Sequence, residues 1–502
     1  MAILLFFTLK SILINHEPPK LKSRMSRILI AIFVLIFAPF SAFAHAFGSR
    51  YDLPLPLELF MLGAGATVLV SFVIMSSTLK HGGEKAESLK FDMLKLSGLG
   101  FLGKPIILNT IRIISVGCFC FLLVSVFFGS PDPFENIAPT FVWVIWWVGM
   151  AFLSALIGNL WDLINPWKIL FSWFEEIAGG PWKILNYPSW LDYWPSVFLF
   201  YIFAWLELIA EGSEVPENLA ILLVIYSGIT WIGQLLFGRE KWLKHGEIFT
   251  VFFGLFARFA PTIGGLGQWN LRLPGIGLLC EKPFSISRIF FIVILLATVT
   301  FDGILETPLW VNVLEWFSEN RSIRLPLIML QDAGFNIVTL IKTLFLVILP
   351  FLFLLVFFVF CHATAMFGSG GRIPSMDVAG YFILSLIPIA IAYHLAHYFS
   401  YLLIAGQYII PLVSDPLGLG WNLFGTIEYR IDIGIVNAKF VWYLAVVAIV
   451  FGHAMAVYVA HFMAIRVFFD RKSALRSQFP MLVLMVLYTM ISLWILSQPI
   501  IS

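Results

Sequence analysis

Two pairs of histidines carry the chemistry this sequence offers. His394 and His397 stand three residues apart in the apolar run 378–412, so a helix there presents both rings on one face. His453 and His461 lie in a second late run, 440–468, which places four of the nine histidines in two apolar stretches. An imidazole in hydrocarbon must find a hydrogen-bond partner or a metal ion, so an ionisable residue inside a membrane span is a functional hypothesis by default. Neutral imidazoles are the commonest transition-metal ligands, and a carboxylate orients one or completes the shell. Asp302, at the end of the run 289–301, is the carboxylate placed to do so, or to accept a proton. His453 and His461 are about 12 Å apart along a helix, so they share a face and cannot hold one ion. His461 is then a second site, a relay or a structural histidine bonded to a backbone carbonyl.

A fifth candidate ligand comes from the start of the chain. Residues 1–44 read as a secretory signal peptide with an N-terminal extension: a basic stretch (Lys20, Lys22, Arg24, Arg27), an apolar core over 28–40, and the small-x-small site Ala42-Phe43-Ala44. Cleavage there makes His45 the first residue of the mature chain. An N-terminal histidine offers an amine and a ring nitrogen together, which suits Cu(II) or Ni(II) in a square arrangement.

The elements that position these groups follow from composition. The chain has 502 residues, 60% of them hydrophobic and 12% charged, which is the signature of an all-α, polytopic transmembrane helical bundle. Residues 45–502 form one multi-span domain with about 10–11 crossings. The net charge of +2 gives no basis for a nucleic-acid partner, because Lys and Arg lie between the spans; the partners implied are the lipid bilayer and a small-molecule or metal-ion substrate. Lys80, Lys85, Lys90, Lys95 and Lys104 follow the first span, 57–75, and the positive-inside rule puts them in the cytoplasm and the mature N-terminus outside. On that count Asp302, His394 and His397 gather at the outer half of the bilayer, with His453 nearer the middle.

Further crossings fall at 107–128, 140–158, 196–209, 219–237, 289–301, 338–361, 378–412, 440–468 and 482–496. The run 248–259 is too short to cross and reads as re-entrant or interfacial. Six tryptophans (161, 167, 173, 182, 190, 194) between Asn159 and Pro195 read as a headgroup-level anchor. Cys118 and Cys120 point to opposite sides of a helix and read as ordinary buried thiols. Lys342 snorkels or pairs with Asp302, and Glu207 reaches water near the end of its span. No Walker motif, nucleophile elbow or HExxH is present.

Three segments carry a resemblance: His45-Ala-Phe-Gly-Ser-Arg-Tyr-Asp-Leu-Pro-Leu-Pro, Phe301-Asp302-Gly303 through Thr307-Pro308, and Tyr393-His394-Leu395-Ala396-His397-Tyr398, with Gly158-Asn159 and Asn165-Pro166-Trp167 between them. Together they resemble the multi-pass bacterial membrane proteins named fenitrothion hydrolase, over nearly the whole chain after the signal. The resemblance implies hydrolysis of an organophosphorus ester at the bacterial inner membrane, without a catalytic motif to transfer. The residues by themselves leave three functions open: a metal-dependent hydrolase using copper or zinc, a transition-metal or solute transporter, and electron transfer through b-type haem held by the late histidines.

Overall fold

The computed structural model describes residues 55–79, 89–265 and 267–498, all within one compact unit, Tyr51–Ser502. The expected signal segment 1–44 and His45 lie outside the described residues. In chain order the helices are α1 (Leu57–Thr78), α2 (Pro105–Phe128), α3 (Ile137–Leu156), α4 (Pro166–Ile177), α5 (Trp194–Leu208), α6 (Pro216–Phe237), α7 (Arg239–His245) and α8 (Ile248–Ala257). They continue with α9 (Ile286–Leu305), α10 (Pro308–Glu319), α11 (Arg321–Asp332), α12 (Ile337–Ser369), α13 (Ser375–Ser414), α14 (Ala438–Val467) and α15 (Arg471–Ser497). Among the described residues nine helices are long and apolar enough to cross a membrane: α1, α2, α3, α6, α9, α12, α13, α14 and α15. The expected span at 196–209 is the 15-residue α5, about 22 Å long and short of a full hydrocarbon width.

Local sequence sets where these helices begin. Proline occupies the first turn of α2, α4, α5 and α6, where its missing N–H costs nothing. Asn336, Asn437 and Asp470 cap α12, α14 and α15 by accepting backbone N–H groups. Gly370, with φ 61°, ends α12 in the left-handed conformation that glycine adopts without strain.

The helices form two environments. The most apolar windows of α9 and α13 are 78% and 89% buried, whereas those of α1, α2 and α12 are each 22% buried and turn the rest outward. The histidine-bearing α13 is therefore an interior element. Cys118 and Cys120 lie on the outward surface of α2 and are exposed, contrary to the expectation of buried thiols, because α2 packs along one side only. Trp161 and Trp167 also depart from the anchor reading. Both are buried in the main core, where Trp167 Nε1 donates to Ser227 Oγ at 2.8 Å, while Trp182, Trp190 and Trp194 remain exposed.

A small sheet joins two distant parts of the chain. β1 (Phe91–Asp92), β2 (Thr262–Gly265) and β3 (Gln268–Leu271) are antiparallel in the order β1-β3-β2, with Phe91 opposite Leu271. In a bilayer, hydrogen-bonded strands lie on one side, so an even number of crossings separates β1 from β3. Between them lie the long helices α2, α3 and α6 and the short apolar helices α5 and α8. α5 turns Phe198 and Ile202 outward as a crossing helix would, whereas Phe252, Phe253 and Phe256 of α8 are buried in protein. α5 therefore presents part of its surface outward, whereas α8 is covered by protein along these residues. Its start is fixed by the buried Glu247, which caps Phe249 N and Thr250 N at 3.1 and 2.7 Å and accepts from the Tyr226 hydroxyl.

Candidate functional site

The late part of α9 and the middle of α13 meet at a polar cluster. Asp302 stands three residues before the end of α9. His397 Nε2 lies 2.9 Å from Asp302 Oδ2, and the Tyr398 hydroxyl donates to the same oxygen at 2.6 Å. Both side chains of the His397–Asp302 pair keep partial access, at 11% and 19% exposure, so the pair is neither sealed nor open surface. The contact between α9 and α13 depends on a missing side chain: a Cβ on Gly303 would lie 2.8 Å from the Tyr393 hydroxyl oxygen and 3.1 Å from Ile495 Cγ2.

Carboxylates surround this pair. Glu207, near the end of α5, accepts a hydrogen bond from Trp147 Nε1 instead of simply meeting water. Trp147 belongs to Thr140–Val148, the part of α3 wound as a π-helix, whose i→i+5 hydrogen bonds widen the turn. Glu306 follows the last residue of α9; burial raises its carboxyl pKa, the nearby His397 opposes the rise and the Asp302 charge adds to it. Among the described residues no ion pair joins Lys342 to Asp302.

The other histidines are placed differently from one another. His394 is fully buried, with Tyr398, Phe152, Phe256, Trp147 and Phe252 at ring-centroid distances of 4.7 to 6.5 Å, and neither of its nitrogens has a partner. A haem iron ligated there would have to displace this aromatic cage. His453 Nδ1 donates to the Ile449 carbonyl at 2.8 Å, and its Nε2 is buried without a partner. The adjacent Gly452 packs against Ala392 and the Pro388 carbonyl, which puts His453 roughly 8–13 Å below His397 along the bundle.

His461 does not join the cluster. Its Nδ1 faces Gln478 Oε1 at 2.8 Å and its Nε2 faces the Leu79 carbonyl at 3.1 Å, just beyond the end of α1. Ala64, about 22 Å further up α1, packs in one cluster with Tyr393 and Ala396 beside His397. His461 thus ties α14 to α1 and α15 at the opposite end of the bundle, with both ring nitrogens engaged. His461 takes the structural alternative, beside a backbone carbonyl, and the expected convergence of His394, His397 and His453 is replaced by a single pair, His397 with Asp302. Among the described residues no three His, Cys, Asp or Glu side chains are placed to hold one metal ion.

Sequence reasoning did not select Tyr398, Glu207 or Trp147 as site residues. Tyr398 had a usable signal, since it follows His397 directly; Trp147 had none, being one of three tryptophans in an apolar run. No family model, curated protein or solved structure matches the chain.

Proposed function

We propose that this is a multi-pass membrane protein that works through the His397 imidazole, which accepts a proton at the nitrogen that Asp302 leaves free. The supporting observation is the Asp302 carboxylate oxygen shared between His397 Nε2 and the Tyr398 hydroxyl. A neutral imidazole donating Nε2–H to a carboxylate carries its lone pair on Nδ1, and the carboxylate fixes that tautomer and favours the imidazolium. Partial access lets water or a small substrate reach the ring.

The resemblance to fenitrothion hydrolases suggests the reaction. Nδ1 takes a proton from water as its oxygen bonds to phosphorus; the bond to the leaving oxygen breaks, and the proton returns to that oxygen. We place this end of the bundle on the outer face of a bacterial inner membrane, where an ester arrives from lipid or from outside. Release of nitrophenolate from a nitrophenyl phosphotriester, measured on protein in nanodiscs, tests this reading. Wild type is expected to turn over and His397→Gln to fall by about 10²-fold or more. Equal rates in the two proteins would remove His397 from the chemistry.

A metal-ion reading has one observation in its favour. A ligating histidine characteristically donates its other N–H to a carboxylate, as His397 does to Asp302. Copper or zinc at Nδ1 needs further ligands, and among the described residues no third His, Cys, Asp or Glu stands with this pair. Elemental analysis of wild type and of a His394→Ala His397→Ala double variant separates the readings: bound metal lost in the variant favours a metal centre, and metal-free turnover favours the proton acceptor.

A further inference from the structure

A cavity of about 770 Å³, sharing no residue with the Asp302–His397 cluster, opens among α2, α4, α7, α8 and α9. Its wall carries six cationic side chains: Arg112, Lys168, Arg239, Lys244, Arg258 and Arg288. Only two carboxylates line it, Asp162 and Glu240. Asp162 is committed to Lys168 at 2.5 Å, and Arg239 pairs with Glu175 at 3.2 Å. Among the described residues no carboxylate forms an ion pair with Arg258 or Arg288.

Those two guanidinium groups are held in place by aromatic rings. The Arg288 guanidinium carbon lies 4.4 Å from the Tyr193 ring centroid and 5.0 Å from that of Phe284, and the Arg258 carbon lies 5.5 Å from the Phe284 centroid. Arg288 Nε is buried and has no acceptor. Arginine stays charged in proteins, so partly buried guanidinium groups without a carboxylate call for an anion. Stacking on tyrosine and phenylalanine leaves the guanidinium edges, which are the hydrogen-bonding parts, free for that anion.

We propose that this cavity binds a phosphate group, with Arg258 and Arg288 as its principal donors and the remaining cations of the wall drawing the anion in. A planar guanidinium fork matches two phosphate oxygens at once, and two forks held against the same Phe284 ring suit a tetrahedral oxyanion better than a flat carboxylate. The phosphate belongs either to a lipid headgroup or to a soluble phosphate compound.

The test uses the full chain in phosphatidylcholine nanodiscs and in discs that also hold phosphatidylglycerol. Inorganic phosphate is titrated into the first by calorimetry, and phospholipid retained by the released protein is read from the second by native mass spectrometry. Selective retention of phosphatidylglycerol, reduced about tenfold or more in Arg258→Gln Arg288→Gln, assigns a headgroup; calorimetric phosphate binding weakened to the same degree assigns a soluble phosphate. Arg288→Gln alone serves if the double variant does not fold. Wild type that binds neither probe, or a folded variant that binds as wild type does, overturns the proposal.

Discussion

His397 and Tyr398, neighbours in sequence on α13, both bond to one oxygen of Asp302 on α9, at 2.9 and 2.6 Å. Adjacent residues on a helix diverge by about 100°, so a single carboxylate reaches both only from between them, beside the helix. The pairing thus fixes the height of α9 against α13, and Gly303, next to Asp302, removes the Cβ that would hold the helices apart.

Asp302→Asn and Tyr398→Phe are therefore expected to be non-additive. Each alone costs about 1–3 kcal/mol by stranding a polar partner, and the double variant costs less than the sum by about 0.5–3 kcal/mol. Denaturant unfolding of the four proteins in a fixed detergent measures the coupling. Full additivity would mean that the shared oxygen does not connect the two side chains.

His394→Phe is expected to leave stability unchanged or raise it. Both nitrogens are buried without partners among five aromatic rings, and exchanging an unsatisfied polar ring for an apolar one of similar shape relieves about 1–3 kcal/mol of desolvation. Thermal midpoints of the two proteins decide it. A large loss would show that a water or ion satisfies this ring.

His245 gives a pH dependence outside the membrane-spanning segments. Its ring stacks on Tyr187 with centroids 5.3 Å apart, and burial lowers its pKa from 6.5, with the Lys241 carbonyl and Asp192 opposing. The unfolded chain takes a proton near 6.5 while the folded protein resists until lower pH. Stability from this group is thus complete above 6.5 and is lost as pH falls towards the lowered folded value. Thermal midpoints measured from about pH 7.5 to 5.5 are expected to fall less steeply in His245→Gln than in wild type.

Much of this architecture is legible in the sequence, for a simple reason. A helix such as α12 announces itself through apolar content alone, because lipid selects length and hydrophobicity whatever the neighbours are. Neighbours, however, decide everything about the interior. Trp161 and Trp182 look alike in sequence, yet only Trp161 is buried in the core. Likewise His397 and His461 are both histidines in apolar runs, and which of them meets a carboxylate depends on helix packing that no spacing rule encodes. Asp302 was legible as a carboxylate ending a span. Its sharing by Tyr398 was not, because that contact joins residues 96 positions apart.

The stitching of Phe91 to Leu271 has a bearing on biogenesis. Once the lysine-rich connection after α1 is retained on one face during insertion, the chain near Leu271 must be delivered to that same face before the strands can zip together. The pairing of Phe91 with Leu271 thus links the placement of the chain entering α9 to that of the chain just after α1.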